Sequence, residues 1–204
     1  MDGTVLDLRF DNQFWLEALP RRWGAAHGIE PGEAIRRLRA RFDAKRGTLE
    51  WYCIDHWSDE LDFDIAALKR EMRDSIRWLP GAERFLEAVR ARGKRLLLTT
   101  NAHPISLDVK DRQAGLSKQF DELVSSHEFG VPKEDAQFWA MLADTHGVDP
   151  ATTLFVDDST AVLHAAREAA VREIYQVLRP DSTLPAREPL AGIASIDALA
   201  DLVD

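Results

Sequence analysis

The protein has 204 residues, of which 45% are hydrophobic and 30% are charged, and its formal net charge is −9. This size and composition predict one compact domain, with room for an inserted subdomain, and argue against a largely disordered chain. The negative net charge argues against a nucleic-acid or anionic-membrane partner. We expect a cytoplasmic protein, because the sequence has a single cysteine, no long apolar run and no basic–apolar leader.

The first predicted elements are helices, which occupy residues 10–79. Apolar residues recur there at helical spacing, as in "IRRLRARF", where Ile35, Leu38 and Phe42 share one face and arginines take the other. The stretch "LEWYCIDHWSDEL" continues this pattern and places Cys53 on the apolar stripe, so we expect this thiol in the core.

Strands alternate with helices after residue 94. The predicted strands are 95–101, 120–126, 152–158 and 172–178, the predicted helices between them are 105–115, 134–147 and 159–170, and a short last helix covers 196–202. This alternation predicts parallel βαβ units. The apolar strands suit a sheet that helices cover on both faces. We therefore expect an α/β fold with a doubly wound parallel sheet.

Polar residues follow several of these strands, where ligands bind in such sheets. The groups are Asp2-Gly3-Thr4, Thr100-Asn101, Lys133 and Asp157-Asp158. Each has a structural explanation when taken alone, such as a turn, a solvated lysine or a helix cap. Together they supply acids, a hydroxyl group and one cation, so their order along the chain is more informative than any one of them.

The four strings "MDGTVLD", "LLLTTN", "VPKED" and "LFVDDS" resemble, in this order, the motifs of the haloacid dehalogenase (HAD) superfamily of phosphohydrolases. The resemblance implies a Rossmann-like core formed by residues 1–9 and 80–204, with a helical C1-type cap at 10–79. The strings "LDLRFDNQFW", "LEWYCIDHWSDEL", "LLTTNAHP" and "FGVPKED" are also similar to the bacterial GMP/IMP nucleotidase group of that superfamily.

The family's first motif is Asp-x-Asp-Gly-Thr after an apolar strand, and Met1 takes its variable position. The resemblance therefore implies that the nucleophilic aspartate comes just before Met1, at the end of a central strand that this chain lacks. Buried strands left unpaired are costly, so we expect an upstream segment in the native protein and no activity from the chain as written. A short, inactive HAD-like binding protein is the alternative.

The resemblance also implies a role for each motif residue in a Mg²⁺-dependent reaction. Asp2 is expected to be the general acid and to offer its backbone carbonyl to the metal. Thr100 and Asn101 are expected to bind the phosphoryl group, and Lys133 to neutralise it. The acidic pair completes the metal site: Asp158 is a ligand, and Asp157 binds directly or through water.

The substrate is expected to be a small phosphate ester, and the aromatic cap strings favour a purine 5′-mononucleotide. A small sugar phosphate or phosphoglycolate is the alternative, because the four motifs contact only the phosphoryl group. Candidates for the rest of the substrate site are Arg9, Asn12, Trp51, Tyr52 and His103, with Asp55 and His56 as further polar contacts. Trp15 and Trp57 are interpreted as cap core. The sequence leaves the oligomeric state open.

Overall fold

Five short strands form two parallel sheets in the computed structural model, which describes residues 1–203. The strands are β1 (Leu97–Thr100), β2 (Glu122–Ser125), β3 (Leu154–Asp157), β4 (Glu173–Val177) and β5 (Ala194–Ile196). β1 pairs with β2, and β4 lies between β3 and β5. The four predicted strands are confirmed with narrower bounds. Parallel strands linked by helices confirm the α/β class.

β1 and β3 are not paired with each other in the described chain. A cavity of about 670 Å³ lies between them, lined by residues 96–99 of the first, residues 154–156 of the second, and Met1. The N-terminal loop lines part of this cavity with Met1 and Val5. Within the loop, the Met1 carbonyl accepts hydrogen bonds from the backbone N–H groups of Val5 and Leu6 at 3.0 and 3.1 Å.

Helices precede the first strand and connect β1 to β2, β2 to β3 and β3 to β4. Those before β1 are α1 (Arg9–Gln13), α2 (Leu19–Ala26), α3 (Pro31–Lys45), α4 (Leu49–Tyr52), α5 (Ile54–Leu61), α6 (Ile65–Glu71) and α7 (Ala82–Ala91), and a π-helical stretch (Phe14–Ala18) joins the first two. Those that follow are α8 (Pro104–Ala114), α9 (Ala136–His146) and α10 (Thr160–Glu168). Among the described residues, no helix is both long and apolar enough to cross a membrane.

One hydrophobic cluster takes all its buried members from residues 14–68, and two others come almost entirely from the rest of the chain. Trp57 is fully buried in the first cluster, and Trp15 packs against it while half-buried. Residues 10–79, here called the helical segment, therefore have a core of their own. Their division from the remainder as a cap stays a prediction.

The structure corrects three local predictions. Ile35 is 43% exposed, because Ala34 rather than Ile35 shares the buried face of α3 with Leu38. Cys53 is half-buried rather than core, since the predicted single helix breaks there and its sulfur accepts a hydrogen bond from the His56 N–H at the start of α5.

The third correction concerns the C-terminal part. Ile196 ends strand β5 instead of beginning a helix, and only a 3₁₀ turn, Leu199–Leu202, follows it. The backbone of this strand pairs with β4, with Ile196 opposite Val177. A three-residue strand is too short to show an alternating pattern, so sequence periodicity could not reveal it.

Candidate active site

A buried ion pair joins two of the predicted motif residues. The Lys133 ammonium lies 2.6 Å from an Asp157 carboxylate oxygen, and both side chains are about 5% exposed. Burial raises the pKa of Asp157, but the charges of Lys133 and of the Met1 amino group, together with the hydrogen bonds from Lys133 and Ser159, lower it below its usual value. The Ser159 N–H donates to Asp157 at 2.9 Å. Asp157 is thus ionised and held at the end of β3.

Asn101 connects the end of β1 to the Lys133 loop. Its Oδ1 accepts the Lys133 backbone N–H at 2.8 Å, and its Nδ2 donates to Glu134 at 2.7 Å. The neighbouring Thr100 is buried, and its Oγ1 accepts the Ala102 N–H at 3.1 Å. Because a hydroxyl can accept and donate together, the Thr100 proton remains available to a ligand oxygen.

Asp158 approaches the N-terminal loop so closely that only glycine fits at position 3. A Cβ on Gly3 would lie 2.6 Å from the Asp158 Cγ, and the φ of +70° at Gly3 also disfavours any side chain. Arg187 pairs with the Asp158 carboxylate at 3.0 Å. Burial and the adjacent Asp157 charge nevertheless raise the pKa of Asp158 to about 6.

Asp2 belongs to a buried charge network that we call the Asp2–Lys69 network, formed by Asp2, Lys110, Asp11 and Lys69 in that order. Lys110 lies 2.7 Å from Asp2 and also pairs with Asp11, which in turn pairs with Lys69 at 2.9 Å. Burial and the Asp11 charge raise the pKa of Asp2, against the opposing effect of Lys110. A carboxyl group with a raised pKa is suited to carry a proton.

The aromatic candidates of the helical segment lie in different settings. The Tyr52 hydroxyl donates to Glu134 at 2.6 Å, and burial raises its pKa. Trp51 is half-buried against the segment's core, and its carbonyl accepts the Trp57 indole N–H at 3.0 Å. Tyr52 is therefore linked through Glu134 to Asn101, while Trp51 has no such link to the motif residues.

The remaining candidates do not gather at one place. Asn12 donates to Asp181 in the loop after β4 at 2.8 Å. Arg9 is exposed and lines a cavity of about 490 Å³. The motif residues at the ends of β1 and β3 do not contribute to the lining of this cavity. His103 lies at the start of α8, 3.5 Å from Asp55 of the helical segment. His103 is thus beside the second motif, as predicted, whereas Arg9 is not.

Sequence reasoning missed several residues of this region, namely Asp11, Lys69, Lys110, His127, Glu134 and Arg187. The Asp11–Lys110 pair spans 99 positions, and no local pattern encodes such a contact. Glu134 directly follows Lys133, so an acid next to a predicted site lysine was the one available signal.

The oxygen atoms of the N-terminal loop and of the residues at the end of β3 suit a hard divalent cation. Asp157 and Asp158 are adjacent in the chain, and burial together with the negative charge of Asp157 raises the pKa of Asp158. A bound Mg²⁺ would relieve this repulsion, and it prefers oxygen ligands. The donor set therefore fits the metal that the sequence resemblance implies.

Comparisons with known proteins agree with this geometry. The family model of haloacid dehalogenase-like hydrolases matches residues 1–170. The GMP/IMP nucleotidase YrfG of Escherichia coli K12 is 43% identical over 188 residues, which cover 92% of this chain and 85% of the relative. A phosphoserine phosphatase of Thermus thermophilus is 35% identical over 105 residues, 50% of this chain and 42% of that protein.

Solved structures show the same fold. The crystal structure of a HAD phosphatase from Thermococcus onnurineus superposes with a TM-score of 0.83 at 20% identity, covering 99% of this chain and 93% of that one. The L-2-haloacid dehalogenase of Xanthobacter autotrophicus has a TM-score of 0.65 at 19% identity, with coverage of 98% and 93%. The family match, the relatives and the arrangement of the four motifs lead to one conclusion: this chain belongs to the haloacid dehalogenase-like hydrolases.

Proposed function

We propose that this protein is a Mg²⁺-dependent phosphatase of purine 5′-mononucleotides, with GMP and IMP as substrates. The observation that carries the substrate class is the 43% identity, over 92% of the chain, to a GMP/IMP nucleotidase. The phosphatase chemistry is supported by the buried Lys133–Asp157 pair and by its hydrogen-bonded link to Asn101. These groups place a cation and polar donors at the edge where parallel sheets bind ligands.

The proposed nucleophile is an aspartate that immediately precedes Met1. The Met1 amino group is buried, and burial followed by the charge of Lys133 lowers its pKa. A residue added before Met1 would therefore enter beside Lys133 and Asp157. The cavity between β1 and β3 also supports the proposal, because a strand leading to that residue would pair with both.

In the proposed reaction, a carboxylate oxygen of the nucleophile forms a bond to phosphorus while the bond between phosphorus and the ribose O5′ breaks. Asp2 donates its proton to O5′. A water oxygen then bonds to phosphorus while the bond between phosphorus and the nucleophile's carboxylate oxygen breaks, and Asp2 takes a proton from this water. Its raised pKa supports this exchange. Thr100 donates its hydroxyl to a phosphoryl oxygen, and Lys133 balances the negative charge.

Mg²⁺ would be held by Asp158, by the Asp2 backbone carbonyl and by the nucleophile, and it would supply neutralisation of the phosphoryl charge. Asp157 is assigned an indirect contact through water. Both of its carboxylate oxygens already accept hydrogen bonds, from Lys133 and from Ser159. We therefore propose the water-mediated contact for Asp157, where the sequence left both a direct and a water-mediated contact open.

The base is proposed to bind against the helical segment, which acts as the cap. Trp51 is the proposed stacking surface, because it is half-buried and its ring is not committed to the motif loops. Tyr52 is proposed to align the cap, since its hydroxyl reaches Glu134 of the core. His103 is proposed to line the entrance between the two parts.

Phosphate release by two forms of the protein tests the proposal. One is the 204-residue chain, and the other carries the strand and aspartate encoded in frame upstream. The extended form is expected to hydrolyse GMP and IMP in the presence of Mg²⁺, and the shorter form to release none. A pyrimidine nucleotide and phosphoglycolate serve as comparison substrates. Equal activity of both forms would refute the nucleophile, and a preference for phosphoglycolate would refute the substrate class.

A further inference from the structure

Three side chains with nitrogen and sulfur donors meet where the helical segment touches the core. Cys53 lies between α4 and α5, His103 begins α8, and His127 follows β2. One potential ligand atom of each lies within 4.8 Å of the other two, and no other group of three His, Cys, Asp or Glu residues in the described chain meets this criterion. None of the three is fully buried.

His127 presents a lone pair that no described residue uses. Its Nε2 is buried and makes no hydrogen bond within residues 1–203. The backbone of Asn101 lies close enough to the ring to favour its protonated form, and an N–H on the nitrogen opposite Nε2 would leave the Nε2 lone pair to a ligand. Burial, with the nearby His103, lowers the pKa of His127 to about 4, so the ring is neutral near pH 7. Metal-bound histidines commonly donate their other N–H to a backbone carbonyl in this way.

His103 has a similar arrangement with a carboxylate. Its Nε2 lies 3.5 Å from Asp55, while its Nδ1 accepts only a long hydrogen bond of 3.4 Å from the Ile105 N–H. When Nε2 carries the proton and faces Asp55, Nδ1 has a free lone pair with which it can bind a metal ion. Giving up the long contact to Ile105 costs little, and a carboxylate behind the ring raises its basicity.

Cys53 supplies the third donor at the beginning of the eight-residue helix α5. Its Sγ accepts a hydrogen bond from the His56 N–H at 3.5 Å. Among the described residues, Cys53 is the only cysteine and has no disulfide partner. Its sulfur is therefore chemically free to bind a metal.

We propose that Cys53, His103 and His127 form a binding site for a borderline transition-metal ion such as Zn²⁺. One sulfur and two imidazole nitrogens are a donor set that Zn²⁺ accepts and that Mg²⁺ does not. A tetrahedral ion with bonds of about 2.0–2.3 Å holds its ligands roughly 3.3–3.8 Å apart. Since the donor atoms lie within 4.8 Å of one another, they would need to close by at most about 1.5 Å. Three protein ligands leave the fourth position to water or a ligand.

Occupation of this site would connect two parts of the molecule. Cys53 belongs to the helical segment, whereas both histidines follow core strands. His103 comes two residues after Asn101 in the second motif. A metal here would hold the segment against the core beside the entrance to the candidate active site. The proposal concerns another ion and other residues than the Mg²⁺ site, so it does not depend on the nucleotidase assignment.

Cobalt titration of the metal-free 204-residue chain tests this site, with excess Mg²⁺ present to occupy oxygen ligands. Co²⁺ is expected to bind once per chain and to produce a thiolate-to-cobalt charge-transfer band, which Zn²⁺ then displaces. Cys53→Ser is expected to remove this band and weaken Co²⁺ binding at least tenfold, and His103→Ala and His127→Ala to weaken it similarly. His164→Ala, a half-buried histidine on α10 outside the cluster, is the matched control and should bind normally.

Thermal melts establish that each variant is folded, and His127→Gln replaces His127→Ala if the latter unfolds. Limited proteolysis gives a second readout, because Zn²⁺ is expected to slow cleavage of the wild-type helical segment but not that of Cys53→Ser. Absence of the charge-transfer band in the wild-type protein would overturn the proposal. So would a band that persists in Cys53→Ser, or Co²⁺ affinity unchanged in the cysteine and both histidine variants.

Discussion

Replacing Asp11 by alanine should destabilise the protein strongly. This carboxylate lies between the Lys69 and Lys110 ammonium groups, whose side chains are only 1–2% exposed. The pKa shifts follow the geometry. Burial lowers the pKa of Lys69, which has one close carboxylate, whereas the carboxylates of Asp11 and Asp2 outweigh burial for Lys110 and raise its pKa. Asp11→Ala would leave Lys69 buried beside Lys110 without its only close anion.

The expected loss follows from this burial. Removing one partner of a buried ion pair costs about 3–5 kcal/mol, because the remaining charge has lost both water and its counter-ion. For a protein of this size, 1 kcal/mol shifts the melting temperature by about 2–4 °C, so a decrease of roughly 6–20 °C is expected. Asp108→Ala is the matched control. Asp108 pairs with Arg112 at 2.9 Å, but the two side chains are 55% and 78% exposed, so its loss should cost about 0–1 kcal/mol.

Thermal and urea unfolding of the three proteins measure these differences. The double variant Asp11→Ala, Lys69→Met should recover part of the loss, because it also removes a buried charge. Since the folded pKa of Asp11 lies below its usual value of 3.8, its contribution is present above that pH and is lost as the pH falls further. The gap between wild type and Asp11→Ala should therefore narrow below about pH 4. Equal, small shifts for Asp11→Ala and Asp108→Ala would refute the assignment of a buried network.

The remaining predictions concern the extended enzyme. Asp158→Ala should abolish Mg²⁺-dependent phosphate release while circular dichroism shows an intact fold, and turnover that survives a chelator would argue against the metal site. Asp2→Asn should slow GMP hydrolysis by about 10²–10⁴-fold and slow hydrolysis of a nitrophenyl phosphate less, because the ribose alkoxide needs a proton to leave and nitrophenolate does not. Equal losses on both substrates would contradict the acid role, provided that hydrolysis of the phosphoenzyme limits neither reaction. Trp51→Ala should reduce kcat/KM for GMP but not for a small ester, since stacking is worth about 1–3 kcal/mol; a uniform loss with a lower melting temperature indicates a core role.

The strands β1, β2 and β3 were predictable because each is a short apolar run that ends in polar residues. β1 and β3 illustrate this: the predicted ranges 95–101 and 152–158 contain Leu97–Thr100 and Leu154–Asp157. The pairing of Lys133 with Asp157 was less accessible, because Lys133 lies beyond β2 and Asp157 ends β3, and these strands belong to different sheets of the described chain. The fold class was thus accessible from local sequence, whereas contacts between the motifs were not.

The buried charges were not accessible in this way. Lys69 lies on helix α6 and Lys110 on helix α8. A lysine is normally solvated, and only the tertiary structure brings Asp11 between these two. Cys53 shows a second limit. Its spacing fitted an apolar stripe, but the helix breaks at that residue and turns the sulfur towards the two histidines. Periodicity describes a continuous helix and does not report such a break.

A short chain of hydrogen bonds connects the helical segment to the Lys133 loop. Tyr52 of the helical segment donates to one oxygen of Glu134, and Asn101 donates to the other. The same Asn101 side chain accepts the backbone N–H of Lys133, which neutralises the phosphoryl group in the proposed reaction. Each contact measures 2.6–2.8 Å and involves a half-buried or buried group, so displacement of the segment must disturb the loop that holds the lysine. Because the Asn101 side chain contacts both Glu134 and Lys133, the proposed base site on the segment and the proposed phosphate site at the end of β1 would be coupled through it.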